Sequence, residues 1–314
     1  MGRPLTVGQA TAERKQSMIN DGIVDLGSAW SSDKASGLLE RRNILHNWDF
    51  RNPVNQRGQK EYESGFTIDR WRLWSNTRLN ATVMDGLVRL AFARISDTSS
   101  FHQRSEHPEQ YLGKTLALSV MAGGRIYSGT GALPLSFPNA SAWPISFRIG
   151  GSMFQANVHL GNGGNIEVAI AARGDAQIGD YIDIQAVKLE LGPVSTLAND
   201  PPMDYGRELA VCQRYQFSTG FPHWVHVPSA HATANQIAFN LHLPTTLRIV
   251  PTMTVLPGGG IKIRHGSNAT VQPAFDVAVA HSSNAGVCLT AIRQNHGLAS
   301  ADLCLLGVLF DANL

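Results

Sequence analysis

From about Ile44 to Ala198, short apolar runs recur roughly every ten residues, separated by Gly, Pro, Asn and Asp, and this punctuation leaves no room for a long helix. The runs Thr67–Trp74, Leu87–Phe92, Thr115–Ala122, Ile145–Ile149, Phe154–Leu160, Ile166–Ala172 and Tyr181–Leu191 read as strands. Asn162-Gly163-Gly164-Asn165 is a turn signal between two of them. In the last run the alternation has period two: Ile182, Ile184, Ala186 and Lys188 fall on one face, Asp183, Gln185, Val187 and Leu189 on the other. Strands of this length and spacing predict an antiparallel β-sandwich.

Asn199-Asp200-Pro201-Pro202 closes the region, because two prolines cannot continue a ladder and hold the chain extended. A short helix is expected over Tyr205–Tyr215, where Leu209, Cys212 and Tyr215 fall at helical spacing. The runs Gln236–Leu243, Leu247–Val255, Gly260–His265, Ala274–Ala280, Gly286–Gln294 and Leu303–Phe310 then predict a second, smaller β-sandwich. At the other end, Thr6–Leu26 and Ser32–Arg42 are expected to be short helices with too few apolar positions to bury a core of their own. The reading is all-β: two antiparallel, jelly-roll-like β-sandwich domains over 44–199 and 203–314, and a partly helical attachment or assembly segment over 1–43.

Composition supports sheets over helices. Charged residues make up 16% of the 314, against about 25% in an ordinary soluble domain, and 30 Gly and 15 Pro argue against a helical bundle. With 26 Lys plus Arg against 24 Asp plus Glu, and no basic run longer than Arg41-Arg42, no electrostatic footprint for nucleic acid is present. The longest strongly apolar stretch, Leu303–Phe310, is far short of the roughly 20 residues that cross a bilayer. No apolar core follows Met1-Gly2-Arg3-Pro4, so no secretory signal is expected and synthesis in cytoplasm is. Cys212, Cys288 and Cys304 lack metal or disulfide spacing and are expected to be buried thiols.

The search for chemistry returns no catalytic constellation, metal site or cofactor motif. Asp180 and Asp183, three apart at a strand, point to opposite faces, and Glu61 and Glu63 read as solvated acids. His223, His226, His231 and His242, four of the eleven histidines, lack the spacing of a zinc motif. No Gly-x-Ser-x-Gly elbow occurs, and Gly258-Gly259-Gly260 reads as a turn. Aromatic residues remain. Trp74, Tyr127, Trp143 and Trp224 are the candidate ligand-binding residues, since a sugar stacks its apolar face on an aromatic ring. Of the pair Trp71 and Trp74, Trp71 is expected in the core and Trp74 nearer the surface.

Asn43-Ile44-Leu45-His46-Asn47-Trp48-Asp49-Phe50-Arg51-Asn52-Pro53-Val54-Asn55-Gln56-Arg57-Gly58, followed by Gly65-Phe66-Thr67-Ile68-Asp69-Arg70-Trp71, resembles the opening of a module common in bacteriophage and prophage tail or fibre proteins. Val187-Lys188-Leu189-Glu190-Leu191-Gly192-Pro193-Val194-Ser195-Thr196 is similar to the closing strand of that carbohydrate-binding-module-like jelly roll, and Tyr205 to Tyr215 resembles the helix that begins the family's C-terminal domain. After Pro193 the chain departs from the family's Ala-Thr-Pro-Phe-like run. The resemblance implies a virion surface fibre or spike, a homotrimer that presents loops to host cell-surface polysaccharide, attached to other virion proteins through residues 1–43, and no enzyme. On the residues themselves, Asn47, Asp49, Asn52 and Asn55 read as turn formers and Asp69-Arg70 as an ion pair fixing the first strand. The alternatives are a purely structural head-fibre, collar or baseplate component and, third, a polysaccharide depolymerase, which the lack of β-helix repeats disfavours.

Overall fold

The computed structural model describes residues 42–74, 79–94, 100–133, 145–149, 152–160, 165–172, 176–233, 235–264, 276–283, 286–292 and 301–313. The two N-terminal helices and Trp143 lie outside the described residues, Arg42 apart. The chain is all-β, with antiparallel sheets and one α-helix among the described residues.

In chain order the first unit comprises β1 (Glu61–Tyr62), β2 (Gly65–Phe66), β3 (Arg72–Leu73), β4 (Leu79–Met84), β5 (Leu87–Phe92), β6 (Phe101–Ser105), β7 (Thr115–Ala122), β8 (Arg125–Ala132), β9 (Ile145–Ile149), β10 (Ser152–Leu160), β11 (Ile166–Ala172) and β12 (Tyr181–Leu191). They form two six-stranded sheets, ordered β1-β4-β5-β12-β7-β8 and β2-β3-β6-β11-β10-β9. Alternation builds the core between them. Val88, Leu90 and Phe92 of β5 and Leu116, Leu118 and Val120 of β7, in one sheet, face Val168 and Ile170 of β11 in the other, in one apolar cluster. At its centre Trp71 stacks on Phe101 at 4.8 Å and meets Phe50 edge-on at 5.2 Å.

Two departures from the sequence reading have a physical cause. Thr67–Trp74 is not one strand: β2 and β3 pair as a hairpin, Phe66 opposite Arg72, and the intervening turn carries Arg70 at φ 71°. Trp71 thus reaches the core from a turn. In β12 the strict period of two fails, because a bulge between Ile184 and Ala186 flips the later residues: Ile182 and Ile184 face the core, and after the bulge Val187 and Leu189 do. Lys188 and Glu190 then lie on the opposite face. Along the edge of β12 that β5 leaves, the backbones of Ile44, Trp48 and Phe50 bond those of Leu189, Val187 and Gln185, extending the ladder.

The second unit starts at α1 (Tyr205–Cys212), capped by Asp204, whose carboxylate accepts from the Arg207 amide at 3.1 Å. It continues through β13 (Gln216–Ser218), β14 (Val225–Ala232), β15 (Gln236–His242), β16 (Thr252–Arg264), β17 (Asp276–Ser283), β18 (Gly286–Ile292) and β19 (Asp302–Asp311). All seven strands belong to one sheet. The front half of β14 pairs with β19 and its back half, from Ser229 on and interrupted by a bulge between Ser229 and His231, pairs with β15, so the sheet curls over its own core of Ile237, Phe239, Leu289, Leu303, Leu305 and Phe310. The runs expected as Leu247–Val255 and Gly260–His265 are replaced by the single strand β16. Gly258-Gly259-Gly260 is not a strand-ending turn; it belongs to a bulge between Val255 and Gly260, where a Cβ on Gly259 would sit 2.5 Å from the Leu306 carbonyl oxygen.

A buried polar seam joins the units. Asn47, fully buried at φ 51°, donates through Nδ2 to the Val54 and Asp69 carbonyls, both at 2.8 Å, and accepts the Val54 amide at 2.7 Å. Its own amide meets the Glu208 carboxylate of α1 at 2.5 Å, and its carbonyl accepts the Trp71 indole N–H at 2.9 Å. Asp69 accepts from Gln56 and from Gln216 of β13, while Arg57 reaches Gln216 at 2.8 Å and Asp311 at 3.2 Å. Asp69 and Arg70 do not form the expected ion pair: the Arg70 guanidinium turns away and lies 3.5 Å from the centre of the Tyr215 ring. The spacer is tied down too. Lys188, wholly buried, bonds Asp200 at 2.5 Å and Thr196 at 2.8 Å and lies 3.6 Å from Glu190.

Candidate functional site

The candidate aromatics do not share one platform. Tyr127, on the edge strand β8, stacks on Phe147 at 4.7 Å and packs against the core of the first unit. Trp224 belongs to the second unit, half-buried, with the Lys262 ammonium 4.5 Å from its ring centre and Gly260 beneath it. Trp71 is buried and Trp74 half-exposed. The other seeds of chemistry are absorbed structurally: Asp183 pairs with Arg89 at 2.7 Å, Asp180 caps Ser152 and Gln177, and Cys212 is buried, which pushes its thiol up. Among the described residues no three His, Cys, Asp or Glu side chains converge.

Trp74 sits in the richest group among the described candidates. β3 and β6 are neighbours with Arg72 opposite His102, so alternation sets Arg72, His102 and Arg104 on the sheet face opposite Phe101 and the core, and Phe66 of β2 joins them across from Arg72. Trp74 stacks on His102 at 5.0 Å, and the guanidinium carbons of Arg72 and Arg104 lie 5.5 and 5.6 Å from its ring centre. Arg72 is also 5.4 Å from the Phe66 ring. Arg104 is neutralised by Glu167 at 2.9 Å. Arg72 has no ion pair or hydrogen bond among the described residues, and its Nε is buried without a partner. Arg72 thus offers one unneutralised guanidinium fork beside indole and phenyl rings, the kind of surface on which sugars and planar anions are held.

A second feature is a cleft of about 530 Å³ beside the seam, lined by Arg42, His46, Glu106, His107, Tyr111 and Tyr215 among others. Burial, with Arg70 and Arg42 nearby, pushes His46 down to about 4, although the Glu208 carboxylate is 3.7 Å away. The carboxylate of Glu106 is committed to Arg248, to Arg214 and to the Tyr215 hydroxyl, so the cleft's acid acts as a tie between units.

The sequence reading names Trp74 as a candidate and does not name Arg72, Arg104 or His102. Arg72-x-Trp74 was the available signal. Arg104 and His102 come from β6, whose sequence Phe-His-Gln-Arg-Ser is polar on both faces and does not announce a strand. Searches against protein-family models, curated proteins and solved structures find no match to this chain. No helix among the described residues is long and apolar enough to cross a membrane.

Proposed function

We propose that this chain is a virion surface protein, a fibre or spike of a phage or phage-like particle, which binds host cell-surface polysaccharide through the first sandwich. The observation that carries the reading is the half-exposed Trp74 ring flanked by Arg72 and Arg104 on the outer sheet face. The resemblance of residues 43–58, 65–71, 187–196 and 205–215 to phage fibre modules supplies the virion context, a homotrimer and attachment through residues 1–43. A glycan array and whole-host-cell binding test it: the full chain gives a signal competed by the free polysaccharide, and Trp74→Ala removes it. Absence of any glycan or cell signal, with a stable monomer by light scattering, refutes the reading.

A purely structural role in a head fibre, collar or baseplate is the second reading. It is favoured by where the resemblance-bearing residues go, since Asn47, Asp69, Lys188, Glu190, Glu208 and Tyr215 all serve the seam and its spacer and not a surface. The same array separates the two, because a competable glycan signal excludes assembly as the only role.

A further inference from the structure

Resting on the glycan reading, and narrowing it, we propose that the Trp74 face selects acidic saccharides, by accepting one oxyanion of a carboxylate or phosphate group in a notch between Arg70 and Arg72. The notch is lined by Phe66, Arg70, Arg72, His102 and Arg104. Three of these five carry guanidinium groups, and the carboxylate of Glu167 is paired with one of them, Arg104. Arg70 is 3% exposed and spends its two terminal nitrogens on neutral acceptors, the Asn313 side chain at 3.3 Å and the Arg104 carbonyl at 2.7 Å. The Nε atoms of Arg70 and Arg72 are both buried without a hydrogen-bond partner. Arg70 has the Tyr215 ring and two neutral oxygens as partners and Arg72 has aromatic rings, so neither meets a carboxylate and an anion that enters the notch is met by their unneutralised charge.

Size sets what enters. The notch holds about 10 Å³, room for roughly one water-sized atom, so a ligand inserts a single oxygen and lays its remaining bulk outside. Phe66 and Trp74 flank Arg72, and a pyranose whose carboxylate or phosphate oxygen enters the notch has its ring beside them. A neutral sugar offers hydroxyls alone and leaves the cations unpaired.

The test is calorimetric titration of the full chain with a hexuronate oligosaccharide, its carboxyl-reduced counterpart, a phosphorylated oligosaccharide of equal length and a short single-stranded oligonucleotide. The expected result is that the uronate, the phosphorylated sugar or both bind at least about tenfold more tightly than the reduced one, and that this preference weakens with added salt. Whichever acidic arm responds identifies the source of the oxyanion. Arg72→Met abolishes the preference while the thermal midpoint stays close to the parent's, and Arg72→Lys, which keeps the charge without the fork, retains part of it. Equal binding of acidic and reduced sugars, a preference that survives Arg72→Met, or a response to the oligonucleotide with silence from both acidic sugars overturns the inference. A neutral glycan that binds where acidic ones fail overturns this inference and leaves the glycan reading standing; silence from every sugar overturns both.

Discussion

Replacing Asn47 tests the seam most directly, because this one side chain serves three buried backbone groups. In Asn47→Ala the Val54 amide, the Val54 carbonyl and the Asp69 carbonyl each lose a partner at 2.7–2.8 Å. The Val54 carbonyl keeps the Asp69 amide at 3.1 Å, so two groups are orphaned, and at about 1–2 kcal/mol each the loss is about 2–4 kcal/mol. The backbone adds to it: φ is 51°, which Asn tolerates and Ala resists by about 1 kcal/mol. Asn47→Gly suffers the same three losses without the Cβ strain and is expected to be about 1 kcal/mol more stable than the alanine variant. Asn47→Asp is the worst of the three, since it cannot donate and sets a carboxylate against two carbonyl oxygens. Urea unfolding followed by tryptophan fluorescence and near-ultraviolet circular dichroism measures the series; Trp71, bonded to the Asn47 carbonyl, is a local reporter. The reasoning is refuted if Asn47→Ala loses less than about 1 kcal/mol, or if the aspartate variant matches the parent.

Three more outcomes follow from the same geometry. Burial raises Asp69 from 3.8 to about 6, so the native state holds that proton more tightly than the unfolded chain and stability falls as pH rises from 4 to 6; His46, lowered from 6.5 to about 4, binds its proton less tightly when folded, so its contribution makes stability rise over 4 to 6.5. The two slopes oppose, each worth about 3 kcal/mol, and the parent is expected to be nearly flat in that window, while His46→Gln exposes the Asp69 slope in a melting series; a His46→Gln variant that gains stability with pH contradicts the assignment. Gly307→Ala sets a Cβ 2.1 Å from the Phe221 ring at φ 54°, costing about 1–3 kcal/mol, and Phe221→Ala in the same chain is expected to recover most of that in thermal melts. Lys188→Met leaves Glu190 and Asp200 buried without their cation and is expected to cost about 3–5 kcal/mol, more than Asp200→Asn, by denaturant titration.

Much of the fold was legible because alternation and burial coincide: Leu87–Phe92, Thr115–Ala122, Ile145–Ile149, Ile166–Ala172 and Tyr181–Leu191 are strands with the bounds read from residues alone. What escaped is set at long range. The turn at Arg70 is held by Asn47, distant in sequence, and no local pattern shows it. The bulge at Ile184 and Ala186 reverses the faces of β12, and Lys188 and Glu190, charged and so read as ordinary strand positions, are covered by a spacer that returns over them. At the candidate site the aromatic Trp74 was visible, whereas the arginines became meaningful only when β6 was placed beside β3.

The Lys188 tie also determines how load passes along the molecule. The spacer leaves β12, turns back along it and is fastened at Asp200 before the second unit begins, so a pull on that unit reaches the closing strand of the first through a buried ion pair instead of a slack tether. To lengthen the joint, Lys188 and Asp200 must part while both are buried, and that resists stretching until the contact gives way at once. Pulled end to end, the two units should yield as a catch, with one abrupt release, and until then the second unit keeps a fixed aim relative to the Trp74 face.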